Sequence, residues 1–338
     1  MRAPNFWWEP GSLAATLLSP AAAAYGAIAG SRLRRAPSYT ASVPVLCVGN
    51  FVVGGAGKTP VALAIADCLK TLDRKPAFLS RGYGGRLTGP IRVDPTIHDA
   101  RQVGDEPLLL ARCAPTMVAR DRVAGAQALE ASSTGAFAMD CIILDDGFQN
   151  PSLKKSLSLV VVDGATGVGN GKCIPAGPLR APIEEQFARA DCVVVLGKGS
   201  GQTSMSALCA RAAIPVFKAR LVPEVSEALA ERPVIAHSGI GRPEKFFQTL
   251  EEAGVRIAER VPFPDHHEVT EAEAECLLRK ADMLDAALVT TEKDHVRTPR
   301  DAGTAQVRLA ERSEIVGVKC RFEDALSITD RLSRALRV

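Results

Sequence analysis

Two short stretches carry residues that could move a phosphoryl group. One is Gly54-Gly55-Ala56-Gly57-Lys58-Thr59; the other is Asp145-Asp146, closing the apolar run Cys141-Ile142-Ile143-Leu144. Glycines let backbone N–H groups close on phosphate oxygens, and a helix starting at Lys58 adds the positive end of its dipole. Lys58 would reach the β- and γ-phosphates and the Thr59 hydroxyl would sit on Mg²⁺. Carboxylates at a strand end would hold the same ion directly or through water. A strict phosphate-loop pattern wants glycine where this chain has Val52, and Gly54 and Gly55 supply the flexibility instead. Alone, each stretch also reads as an ordinary turn; together they predict a nucleotide hydrolase or transferase that uses Mg²⁺.

These groups need a frame. Residues 43–48 are an apolar run short enough for one buried strand and 61–69 carry a helical pattern, so the glycines fall at a strand-to-helix junction. Residues 75–80 read as a second strand ending in Ser80-Arg81-Gly82-Tyr83-Gly84-Gly85, and 157–163 and 192–197 as further buried strands. Between the last two, Gly177-Pro178-Leu179-Arg180 presents one arginine. The alternation predicts an α/β fold over 36–214, a P-loop NTPase-type parallel sheet with helices on both faces. Ligands of such sheets collect at the carboxyl ends of strands, where the Arg81 loop would lie. A second set of strands (233–237, 256–261, 287–290 and 314–320) and helices predicts a smaller C-terminal α/β domain over 215–338 with no cradle of its own.

Composition sets outer bounds. Against 41 basic residues stand 38 acidic ones, a net +3 that argues against nucleic acid as a partner. The nine cysteines include no C-x-x-C pair, and Cys47, Cys141 and Cys192 lie in apolar runs, which favours a reducing compartment. Residues 1–35 read differently from the rest. Trp7 and Trp8 precede an uncharged, alanine-rich stretch interrupted by Pro20, and Arg32, Arg34 and Arg35 follow it. The expectation is a helix in or on the membrane interface, tryptophans at headgroup level and arginines toward anionic lipid. A cleaved signal peptide and a helix packed on its own domain are the competing readings.

Two local motifs stay open. Gly104-Asp105-Glu106-Pro107 precedes an apolar helical run, where Asp105 is most simply an N-cap. In Asp265-His266-His267 two of the five histidines adjoin, with no further His or Cys at zinc spacing; a solvent loop and a proton-transfer partner both fit.

Taken in order, the motifs resemble the tetraacyldisaccharide 4'-kinases, which phosphorylate the lipid A precursor of Gram-negative bacteria. The resemblance spans nearly the whole chain. It rests on Val48-Gly49-Asn50 with residues 53–60, Ser80-Arg81-Gly82-Tyr83-Gly84, Gly104-Asp105-Glu106-Pro107, Asp145-Asp146-Gly147-Phe148-Gln149, Gly177-Pro178-Leu179-Arg180, residues 239–247, Asp265-His266-His267 and Thr291-Glu292-Lys293-Asp294. That family's loop also lacks the first glycine. One departure is Ala181, where Glu is expected.

The resemblance implies transfer of the γ-phosphoryl group of ATP, with Mg²⁺, to the 4'-hydroxyl of a tetraacyldisaccharide 1-phosphate at the cytoplasmic face of the inner membrane. The partners would be the lipid disaccharide and the membrane surface, with no obligate protein partner. It assigns catalysis to Lys58, Asp105 and His266, with Asp105 as base and His266 tuning or orienting it. It assigns nucleotide binding to Gly54, Gly55, Ala56, Gly57, Lys58, Thr59 and Arg180, the acceptor to Asn50, Arg81 and Gln149, and Mg²⁺ to Thr59, Asp145 and Asp146. Because His266 lies in the second domain, closure over ATP would complete the site and exclude water. The competing class is a GTPase or metal-delivery chaperone; the chain has neither an Asn-Lys-x-Asp guanine motif nor a His or Cys tract.

Overall fold

The computed structural model describes residues 3–9, 11–226, 229, 231–299, 301 and 303–337. Its larger sheet is built around β1 (Val45–Asn50), in which every residue is buried. Alternate side chains enter two separate cores. Leu46 and Val48 pack with Val61, Ile65 and Leu69 on one face, while Val45 and Cys47 pack with Ala126, Leu129 and Met205 on the other. A strand covered on both faces reads as a continuous apolar run, which is why β1 is so plain in the sequence.

The strands that follow are β2 (Pro76–Ser80), β3 (Ile91–Arg92), β4 (Thr116–Val118), β5 (Cys141–Asp145), β6 (Leu157–Asp163), β7 (Cys192–Leu196) and β8 (Val216–Pro223). Then come β9 (Val234–Ser238), β10 (Ile257–Pro262), β11 (Ala287–Thr291), β12 (Ser313–Val316) and β13 (Val318–Phe322). Nine of them form one sheet, ordered β13-β8-β7-β6-β1-β5-β2-β4-β3, parallel except at its two edges. The other four form a parallel sheet, β10-β9-β11-β12.

The pairing corrects the expectation of one C-terminal block over 215–338. β8 joins the large sheet beside β7, and the single strand expected over 314–320 divides at Gly317. There β12 ends in the small sheet and β13 returns to pair antiparallel with β8. A Cβ at Gly317 would come within 3.0 Å of the Glu292 carboxylate, so the chain crosses between sheets where it has no side chain. The small unit is therefore residues 224–317, inserted between neighbouring strands of the large sheet.

Ahead of β1, α1 (Leu13–Leu17) and α2 (Ser19–Leu33) lie against the large unit. Small residues allow the approach: Gly26 faces Cys173 and Pro182, and Gly30 faces Glu185 and Pro182. The expectation of two tryptophans at headgroup level fails for Trp7, which is buried and donates from Nε1 to the Pro175 carbonyl at 2.9 Å. On the open side Leu13 and Leu17 are each 81% exposed and Ile28 56%. No described helix is long and apolar enough to cross a membrane.

Candidate active site

The cradle lies where β1 passes into α3 (Lys58–Thr71). Gly57 takes the left-handed conformation, φ +79°, and a Cβ there would meet Leu196 Cδ1 at 2.5 Å. Gly57 is also the residue before the helix and no side chain caps it, so the first N–H groups of α3 are left for a ligand. Lys58 and Thr59 occupy its first turn, and Gly54 and Gly55 have open space above them. Ala56 is buried in the core beneath.

Two residues expected on the acceptor are built into the floor of the cradle. Asn50 is fully buried and donates from Nδ2 to the Gly54 carbonyl at 3.1 Å, shaping the loop from below. Gln149 donates from Nε2 to the Asn50 carbonyl at 2.7 Å and to Gln186 Oε1 at 3.0 Å, while its Oε1 accepts from Arg180. Both ends of its amide are occupied. Arg81, by contrast, is exposed on the loop after β2. Ala181 is completely buried, and its carbonyl accepts from Gln186 Nε2 at 2.8 Å; this position belongs to packing.

Residues 177–180 lie against the cradle, with Val53 N donating to the Pro178 carbonyl at 2.8 Å and Arg180 N to the Phe51 carbonyl at 2.9 Å. That pairing delivers the Arg180 guanidinium, which donates to Asp146 Oδ1 at 2.8 Å. Lys58 Nζ approaches the other oxygen of Asp146 at 3.7 Å. Burial raises the pKa of Asp146, but Lys58 and Arg180 outweigh it and the carboxyl ends below its usual range. Asp145, at the tip of β5, behaves oppositely. Burial, then the Glu106 and Asp146 carboxylates, push it up to about 7. Its Oδ2 accepts from Ser80 Oγ at 3.3 Å and its Oδ1 is buried without a partner. Among the described residues no three His, Cys, Asp or Glu side chains are gathered to hold an ion by themselves.

The small unit faces this edge with its own carboxyl edge. After β11, Lys293 in the short helix Glu292–Val296 reaches across to Glu106 Oε1 at 2.7 Å, and Arg297 just beyond that helix donates from Nε to Asp105 Oδ2 at 2.9 Å. Arg242 and Lys245, past the end of β9, reach Asp163 at the end of β6 at 3.0 and 3.4 Å. His266, past β10 and at a left-handed φ of +59°, brings Nδ1 to 3.8 Å from Asp105 Oδ2. His267 turns the other way, stacking on Phe263 and pairing with Glu273 at 2.9 Å.

Asp105 is not the helix cap that local reading suggests. Gly104 holds that position at φ +90°, where a Cβ would meet the Tyr83 carbonyl at 2.5 Å, and Asp105 is the first residue of the helix Asp105–Ala111. Its Oδ1 accepts from Glu106 N at 2.8 Å, leaving Oδ2 toward the small unit. Burial raises its pKa, but Lys293 and Arg297 outweigh it and the net shift is downward.

Residues 14–337 match the sequence profile described as tetraacyldisaccharide-1-P 4'-kinase. The chain belongs to this family. The tetraacyldisaccharide 4'-kinase of Methylobacterium radiotolerans is 52% identical over 337 residues, 99% of each chain. That of Rhodospirillum centenum is 51% identical over 307 residues, 89% of each. The crystal structure of the "apo" form of LpxK from Aquifex aeolicus in complex with ATP aligns with a TM-score of 0.70 at 26% identity, over 95% of this chain and 99% of that one.

Within this 4'-kinase fold, Lys58, Asp145, Asp146 and Arg180 form one cluster, with Thr59 next to Lys58 in the first turn of α3, and Asp105 and His266 form another beside it. Glu106 joins the two and went unassigned in the sequence, although an acid next to Asp105 in a helix's first turn was a visible signal. Lys293 was visible within a motif but without a role. Arg297 gave no signal, because its partner lies 192 positions away.

Proposed function

We infer that this chain is the ATP-dependent kinase that phosphorylates the 4'-hydroxyl of the tetraacyldisaccharide 1-phosphate precursor of lipid A. The observation that carries this reading is a buried Asp105 in the same cleft as a helix-opening Gly-Lys-Thr cradle, in a chain that matches the 4'-kinase family over residues 14–337. Lys58, Arg180 and the first amides of α3 would hold the nucleotide phosphates, which replace Asp146 as the partner of Lys58. Mg²⁺ fits the residues present: Asp145 has an orphaned buried oxygen, and burial with the neighbouring Glu106 and Asp146 carboxylates pushes its carboxyl up to about 7. Thr59, Asp145 and Asp146 would hold the ion, whose chemistry is to draw charge from the phosphate oxygens. Asp105 takes the proton of the 4'-hydroxyl as that oxygen bonds to the γ-phosphorus and the bond to the ADP oxygen breaks.

The small unit, residues 224–317, closes over the nucleotide and excludes water. Residues 1–35 rest on the cytoplasmic face of the inner membrane through Leu13, Leu17 and Ile28. Their exposure beside Arg32 and Arg35 supports that placement. The test is incubation with labelled ATP, Mg²⁺ and the lipid disaccharide monophosphate. A bisphosphorylated lipid is expected, in an amount unaffected by excess GTP; nucleotide hydrolysis with no labelled lipid would sink the assignment.

A further inference from the structure

Gln186 belongs to none of the motifs above, yet it is completely buried beneath the cradle. It lies in the short helix Ile183–Phe187, which follows the Arg180 loop and is held against the end of β1 by Phe187, edge-on to Phe51 with ring centres 5.3 Å apart. A buried amide needs partners for both of its ends. Gln186 Nε2 donates to the Ala181 carbonyl at 2.8 Å and to the Phe51 carbonyl at 3.2 Å, and its Oε1 accepts from Gln149 Nε2 at 3.0 Å. Gln149 Nε2 also serves the Asn50 carbonyl, which leaves Gln149 Oε1 for Arg180 Nη1 at 3.3 Å.

We propose that Gln186 is a positioning residue for Arg180, acting through Gln149 so that the guanidinium presents one edge to the nucleotide phosphates. The inference deepens the kinase reading and rests on it for the nucleotide. Each donor and acceptor role in this relay is set by a group that has only one role. Backbone carbonyls only accept, so those of Phe51 and Ala181 turn Gln186 Nε2 toward themselves and Oε1 toward Gln149. Gln149 then meets two acceptors with its nitrogen, and a guanidinium, which only donates, with its oxygen. A flipped Gln149 would set oxygen against oxygen on one side and N–H against N–H on the other.

The same amide fixes the backbone. The Phe51 carbonyl that Gln186 holds also accepts from Arg180 N at 2.9 Å, and the Ala181 carbonyl is that of the next residue. Arg180 Nε donates to the Val52 carbonyl at 3.1 Å, Nη1 to Asp146 Oδ1 at 2.8 Å as well as to Gln149, and Nη2 to Asp146 Oδ2 at 3.4 Å. Of the five N–H donors of an arginine that leaves one, on Nη2, and this is the edge available to a ligand. Asp146 also approaches Lys58 and belongs to the proposed Mg²⁺ set, so its partners change when nucleotide and ion bind. Gln149 Oε1 is tied to the floor and keeps the guanidinium in register through that change.

The experiment uses the full chain and titration calorimetry with a non-hydrolysable ATP analogue and Mg²⁺. Gln186→Met keeps the length of the side chain and removes the relay, and Kd for the analogue is expected to rise about tenfold. In an Arg180→Ala background the same change is expected to alter Kd by less than about twofold, since a residue acting through Arg180 has nothing left to orient. A Kd unchanged by Gln186→Met, or a loss of affinity that persists in full without Arg180, overturns the proposal; the second result would make Gln186 a support of the fold alone. Should Gln186→Met fail to fold, Gln149→Met breaks the relay at its second link and must show the same loss and the same non-additivity. Affinity is read without a lipid acceptor, so absence of lipid phosphorylation with this coupling intact refutes only the kinase reading.

Discussion

Lys293 Nζ lies 2.7 Å from Glu106 Oε1, and the two residues come from opposite sides of the cleft. Burial pulls the Lys293 pKa down, but Glu106 and Asp105 outweigh it and the net shift is upward, so the ammonium is firmly charged where it bridges the units. The pair is partly exposed, 31% and 26%, which places it between a surface bridge and a buried one. A double-mutant cycle of Lys293→Ala and Glu106→Ala in urea unfolding should give a coupling of about 0.5–3 kcal/mol. A coupling of zero would mean the units are not fastened here.

Lys58→Ala should cost about 3 kcal/mol or more of transition-state stabilisation, seen as at least a hundredfold loss in kcat/KM for ATP. The fold should persist, because Asp146 keeps Arg180. Thr59→Ala should behave similarly. Near-normal turnover in Lys58→Ala would remove the cradle assignment.

Asp105→Asn should lose at least about a hundredfold in kcat, since an amide cannot take the hydroxyl proton. From sequence alone a cap-like Asp105 would keep its melting temperature on this change. The Arg297 pair reverses that expectation: a buried guanidinium loses one of its two carboxylate partners and keeps only Asp294, and thermal unfolding should show a fall in Tm. Between the histidines, His266→Ala should be the more damaging and non-additive with Asp105→Asn. A more damaging His267→Ala would reverse the assignment.

His237 is buried at the end of β9, with Nε2 3.1 Å from Ser313 Oγ and Nδ1 unpartnered. Burial lowers its pKa to about 4, with Asp294 pulling weakly the other way. Above pH 6.5 both folded and unfolded chains carry a neutral ring. Below it the unfolded chain takes a proton first, so stability falls as pH drops from about 6.5 to about 4, by on the order of 3 kcal/mol in all. Urea unfolding at pH 7.5, 5.5 and 4.5 should show this loss in the wild type and a smaller one in His237→Gln.

Leu13→Asp, Leu17→Asp and Ile28→Asp, changed together, should leave Tm within about 2 °C because these side chains face solvent. Binding to anionic vesicles should drop, and reaction with the long-chain acceptor should weaken more than with a short-chain analogue. Undiminished vesicle binding would free residues 1–35 of any membrane role.

Local chemistry was the part legible in sequence. The cradle and the β5 carboxylates are short motifs whose spacing is set by one turn of chain, and β1 and β5 announce themselves because burial on both faces removes polar residues. Long-range pairing was not legible. Nothing near Arg297 points to Asp105, and nothing near Lys293 points to Glu106, because each bond closes only when the two carboxyl edges meet. The division at Gly317 was hidden for a different reason: two strands of different sheets adjoin with one glycine between, and read as one β-forming run.

The strands on either side of the small unit have a mechanical consequence. β8 leaves for it and β13 returns from it side by side, with Pro223 opposite Val318. In covalent terms residues 224–317 are the turn of a β-hairpin. Both tethers leave from one point on the sheet edge, so the covalent connections alone give the unit a single pivot. Joining Pro223 to Val318 through a two-residue turn would excise Lys293, Arg297 and His266 in one cut, leaving Glu106 and Asp105 without the cations that reach them from the small unit.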